Sequence, residues 1–149
     1  MSDLNQKYGN NQQKDPRKQE NYNVTIAEIK NNLAKILDEK QDPEGALLVD
    51  NADKLGRYLN NQNISTSQIR NVFFEIKNID FDKGGPYKLN IARAKLAYIA
   101  GKHQNVKDLK EVLDEAIKKV SGDRTKFNRF LDFFEAIVAY HRSYRQKED

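Results

Sequence analysis

Lys88, Lys95 and Lys102 recur at every seventh position of KLNIARAKLAYIAGKH, residues 88–103, and no Asp or Glu occurs between Asp82 and Asp108. Lys83, Arg93 and Lys107 fall in the same interval, so every charged side chain across it is positive. At about 100° per residue the three lysines form a seam along one helix. The seam runs between the apolar face of Leu89, Ala92, Leu96, Ile99 and Ala100 and a second strip holding Ile91 and Tyr98. A line of cations matches an array of regularly spaced phosphates, which Lys and Arg neutralise with release of counterions. The plainer reading is that lysine stems cover apolar surface while the ammonium groups stay in water. The missing carboxylates argue against it, because solvated helices ordinarily intersperse both signs.

A second stretch, STSQIRNVFFEIKNIDF over residues 65–81, puts Arg70, Phe74, Lys77 and Phe81 opposite a stripe of Ile69, Val72, Phe73, Ile76 and Ile79. Cations interleaved with aromatic rings combine phosphate contact with stacking, as on single-stranded or splayed nucleic acid. Phe74 and Phe81, like Tyr98, equally suit packing on another helix or on a neighbouring copy of the chain. Lys54 and Arg57 sit three apart in DKLGRYL and extend the basic set, and Arg129 lies on one edge of the final helical stretch with Tyr140 and Tyr144. His141 projects to the core side of that stretch, the position of a hydrogen-bonded structural histidine rather than a catalytic one.

Groups that would support catalysis are few. His103 and His141 are the only histidines and there is no Cys, so a transition-metal site has few ligands to draw on. No nucleophile elbow frames a serine. Gly84-Gly85-Pro86 lacks the phosphate-loop pattern and reads as a helix breaker. Asp108, Glu111, Asp114 and Glu115 are interleaved with Lys107, Lys110, Lys118 and Lys119, a solvated face with paired charges. The expectation is therefore no catalytic residue, no metal and no cofactor.

The elements that must carry these side chains read as helices throughout. Thr25-x-x-Glu28 has the form of a capping box, followed by Ile26, Ile29, Leu33, Ile36 and Leu37 at helical spacing. Pro43 suits the start of a second helix that ends at Asn60-Asn61, and Gly56 is a place where it could break. Ser65-x-x-Gln68 opens a third, the lysine seam occupies a fourth, and Val106 to Val120 forms a fifth. Asp123 can cap a last helix whose core side carries Phe127, Phe130, Leu131, Phe134, Ile137 and Val138. Strand-like alternation is absent, so the fold class is all-α: a bundle of five to six helices over residues 24–149. Residues 1–23, rich in Asn, Gln and charge, are expected to be a flexible polar arm.

The 149 residues suffice for one core. With 26 basic and 22 acidic residues and a formal net charge of +4, the surface is mixed rather than polycationic. This balance permits a nucleic-acid partner without requiring one. The opening MSDLNQKYGNN has no apolar stretch of the signal-peptide kind and no later run is long enough to span a bilayer. A cytoplasmic protein without a membrane partner is the expectation.

Three segments, LGRYLNNQNISTSQIRNVFFEI (55–76), KLNIARAKLAYIAGKH (88–103) and FLDFFEAIVAYHR (130–142), together resemble the small subunit of type III-A CRISPR effector (Csm) complexes. The likeness spans roughly Ile26 to Arg142. It implies an all-helical, non-catalytic subunit present in several copies, stacked beside the backbone subunits that hold the guide RNA. The implied partners are guide RNA and target RNA, the backbone and large subunits, and other copies of the chain. The implied RNA-facing residues are Arg57, Arg70, Lys77, Arg93, Lys95, Lys102, Arg129 and Arg142, to which the charge pattern adds Lys54 and Lys88. A surface that follows phosphates of any sequence would leave target choice to base pairing.

Two further readings stand beside this one. A helical adaptor or oligomerisation module could present the same basic face to acidic protein. A small DNA-binding regulator would need a helix-turn-helix, for which the Gly84-Gly85-Pro86 connection is long and residues 87–102 are rich in Ala and Ile.

Overall fold

A computed structural model describes residues 16–146. Six α-helices follow one another among them: α1 (Pro16–Ile36), α2 (Ala46–Asn61), α3 (Thr66–Lys77), α4 (Gly85–Lys102), α5 (Lys107–Val120) and α6 (Arg124–Gln146). One turn of 3-10 helix, Gln104–Val106, joins α4 to α5. No strand occurs among the described residues, so the fold is all-α. Of the expected arm, residues 1–15 lie outside the described residues, while Pro16 to Asn23 already belong to α1. Thr25 therefore sits inside a helix rather than at its cap, and Glu28 is turned to another use described below.

The remaining helix ends follow from local chemistry. Ser65 accepts from the Gln68 backbone N–H at 3.0 Å while the Gln68 side chain accepts from the Ser65 N–H at 3.0 Å, the reciprocal capping box. Asp123 caps α6 through the Lys126 N–H. Helix α2 starts at Ala46, three residues past Pro43, because the buried Asp42 carboxylate takes the N–H groups of Leu47 and Leu48 at 3.0 and 2.9 Å. Gly45, at φ 74°, makes the turn between them. Helix α2 is continuous through Gly56, which faces α6 so closely that a Cβ would stand 2.8 Å from both His141 N and Tyr140 Cβ.

Helix α6 is the hub of the core. It packs most extensively on α2, then on α3 and α5, and it buries Phe127, Phe130, Phe133, Phe134 and Ile137. Phe133 is fully enclosed whereas Leu131 and Val138 are only partly so, which rotates the buried stripe from the one expected. Helix α4 lies outside this hub, packed on α5 and α3 through Leu89, Ala92, Leu96 and Ala100. The loop before it is held by Phe81, whose ring stacks on Phe127 at 4.7 Å between centroids and covers Gly85, and by an Arg124–Asp82 ion pair. No helix of the described residues is long and apolar enough to cross a membrane.

Candidate functional site

Helix α4 has no carboxylate of its own, but its neighbours bring carboxylates to it. Lys95 Nζ reaches Glu75 of α3 at 3.2 Å, and Arg93 Nε reaches Asp114 of α5 at 2.7 Å. Burial raises the Asp114 pKa, but the hydrogen bond and charge of Arg93, joined by Lys118, outweigh this and hold the carboxyl below its usual range. Arg93 is thus turned along the α4–α5 seam, with a second bond to Asn90 at 3.3 Å. Lys54 of α2 pairs in the same way with Glu28 of α1 at 3.0 Å. The positive stretch is therefore partly balanced through space.

Four of the ten expected cations stay exposed with no ion pair, side-chain hydrogen bond or ring contact among the described residues: Arg70 on α3, Lys88 and Lys102 on α4, and Arg142 on α6. Lys77 is exposed with its ammonium 5.6 Å from the centre of the Phe73 ring, a cation–π contact. Arg57 donates to the Tyr144 hydroxyl at 3.2 Å and lies 4.9 Å from the centre of that ring, while Tyr144 is itself bonded to Asp53. It stands on the α2–α6 edge rather than with the α4 seam.

Two of the expected site residues have other work. The Arg129 guanidinium donates to Ile36 O at 2.8 Å, Asp42 O at 2.9 Å and Asp42 Oδ2 at 3.1 Å. Its side chain is 14% exposed and that of Asp42 7%, so Arg129 is an internal tie between α6 and the α1–α2 connection, not a surface cation. Phe81 likewise has contacts within the chain, stacking on Phe127 and covering Gly85, and is half-buried. Phe74 and Tyr98 remain exposed, at 51% and 71%.

The surface that results runs between α3 and α4. Glu75, Ala94, Lys95, Tyr98 and Ile99 line one shallow recess. Gln68, Asn71, Val72, Tyr98, Ile99, Lys102 and His103 line the next. Tyr98 belongs to both and divides them. Beyond it, Tyr87, Ile91 and Tyr98 recur along the side of α4 opposite its buried face, 72%, 44% and 71% exposed. This helix is apolar on two sides, and only the flanks between them are charged. Such an arrangement can neutralise phosphates at Arg70, Lys88 and Lys102 and can offer aromatic and aliphatic surface beside them.

The sequence missed Glu75 and Asp114 as partners of the α4 cations and Glu28 as the partner of Lys54, since each lies on a different helix from its cation and no local spacing links the two. Gln68 and Asn71 were visible only as a cap residue and a polar position on α3. His141, expected on the core side, is fully buried. Its Nε2 donates to Ile64 O at 2.7 Å, which fixes the tautomer and leaves Nδ1 without a partner.

The profile of the family described as Csm2 Type III-A matches residues 42–147. The curated relative "CRISPR system Cms protein Csm2" of Streptococcus thermophilus is 32% identical over 114 residues, covering 70% of this chain and 89% of the relative. No solved structure matches the chain.

Proposed function

From the premise that the chain belongs to the Csm2 family of type III-A CRISPR systems, as a small subunit of a Csm complex, we propose that it binds RNA without regard to sequence through the α3–α4 face. In this reading several copies stack along the guide RNA, beside the backbone and large subunits, in a cytoplasmic antiviral complex. Each copy contacts the guide–target duplex and none performs chemistry. The observation that carries it is that Arg70 of α3 and Lys88 and Lys102 of α4 are exposed cations with no carboxylate partner among the described residues, Lys102 at the rim of the recess between the two helices. Single copies bind weakly and gain through multivalency on one RNA.

The test is binding of the purified chain to single-stranded RNA, duplex RNA and duplex DNA across a salt series, with Arg70→Glu/Lys102→Glu alongside. The expected result is salt-sensitive RNA binding, weakened in the variant to a similar degree for unrelated sequences. Unchanged binding by the variant would sink the assignment of this face.

One observation favours a second reading, a helical adaptor: Arg93 and Lys95 already have carboxylate partners, and Tyr87 and Ile91 leave apolar surface exposed on the same helix. Unrelated single-stranded RNA competes with the natural partner in the first reading and leaves it in place in the second.

A further inference from the structure

The recess behind Tyr98 has features that a phosphate-binding strip does not need. It encloses about 210 Å³, below the roughly 300–1,000 Å³ of pockets that take a drug-sized molecule. Its floor is apolar, with Val72 buried and Ile99 half-buried, and its walls are an aromatic ring and an amide. Asn71 of α3 is exposed with no hydrogen-bond partner among the described residues, and Lys102 stands at the α4 rim. Tyr98 is 71% exposed although its ring buries a large apolar area if covered. Three groups of different chemistry, a planar ring, an amide with donors and an acceptor, and a cation, thus converge on one planar-ligand-sized space.

We propose that this recess takes a single unpaired RNA base, stacked on the Tyr98 ring with its edge toward Asn71 and its phosphate at Lys102. The proposal rests on the RNA reading above and sharpens it from duplex backbone to a nucleotide out of the helix. A base inside an A-form duplex has both faces covered by its neighbours, so an aromatic ring can be used only by a base that has left the stack. Stacking is tolerant of sequence because every base has a π-face, and an amide offers both a donor and an acceptor to whatever edge arrives. Charge complementarity selects the occupant: Lys102 at the rim has no carboxylate partner among the described residues, whereas the neighbouring recess has its Lys95 tied to Glu75.

The full chain is titrated with a short labelled RNA strand and with the same strand annealed to its complement, comparing Tyr98→Ala, Tyr98→Phe and Arg70→Glu/Lys102→Glu. The expected result is a loss of about fivefold or more for the single strand in Tyr98→Ala, recovery in Tyr98→Phe, and no change for the duplex in either. An unchanged single-strand affinity in Tyr98→Ala, or an equal loss for strand and duplex, overturns the base recess. If the charge reversals still weaken both RNAs in that case, the RNA face stands without the recess. If no variant changes RNA affinity, both fail together. Loss of self-association in Tyr98→Ala with RNA affinity intact, read by sedimentation, assigns the ring to protein contact and also overturns the proposal. Because Tyr98 is exposed, its truncation leaves the core packed, and a native melting profile checks this.

Discussion

Arg70 and Arg129 are the same residue type in basic stretches of similar appearance, yet they do opposite work. Arg129 is enclosed with Asp42 and the Ile36 carbonyl, and Arg129→Met is expected to cost about 3 kcal/mol or more in denaturant unfolding by stranding a buried carboxylate. Arg70→Ala is expected to stay within about 0.5 kcal/mol of the parent. No spacing rule separates the two, because the distinguishing groups lie 87 and 93 residues away from Arg129. His141 was legible as a core residue from its place on the Phe-rich face, but its buried state has a consequence for pH. Burial lowers its pKa, opposed in part by the bond to Ile64 O, and Arg145 lowers it further. Below about pH 6.5 an unfolded chain takes up the proton while the folded one resists it. Stability therefore falls as pH drops through that range, by up to about 1.4 kcal/mol per pH unit for one proton, and above it the group contributes nothing. Unfolding measured at a series of pH values checks this slope, and His141→Gln, which can still donate to Ile64 O, is expected to flatten it.

Helices were the most legible feature of the sequence where their ends are chemical signals, as with Ser65 and Gln68 at α3 or Asp123 at α6. They were least legible where tertiary contacts move the end. Asp42 sets the start of α2 at Ala46 rather than Pro43, and α1 runs upstream past Thr25 to Pro16. A capping pattern records that a helix can begin somewhere, not that it must. Gly56 shows the same limit: read alone it weakens a helix, whereas in place it lets α2 press against the α6 backbone. Gly56→Ala is expected to destabilise by about 1–3 kcal/mol despite the better helix propensity, because the obstructing atoms are backbone and a Cβ that cannot swing aside. Thermal or denaturant unfolding reads that difference, and a gain in stability would mean the two helices can separate at little cost.

Taken as one body, the chain keeps its net charge of +4 while distributing it unevenly. The lysine seam was legible as a pattern, but Lys95 within it, Arg93 beside it and Lys54 on α2 are compensated by carboxylates on α3, α5 and α1. The effective basic surface is smaller than the sequence suggests, and the salt dependence of RNA binding is expected to be correspondingly shallow. Removing Arg70 or Lys102 should each lower the slope of log K against log salt by about 0.7 on single strands, whereas removing Lys54 should leave it nearly unchanged; titration at several ionic strengths measures both. The placement of α6 carries a different consequence, one of timing. Arg129, Tyr144 and His141 fasten the last helix to Ile36, Arg57 and Ile64 across 93, 87 and 77 residues of chain. During synthesis the earlier helices leave the ribosome without the partner that closes their core. The nascent chain must therefore wait, with its leucines and isoleucines uncovered and open to chaperones, until its final segment emerges.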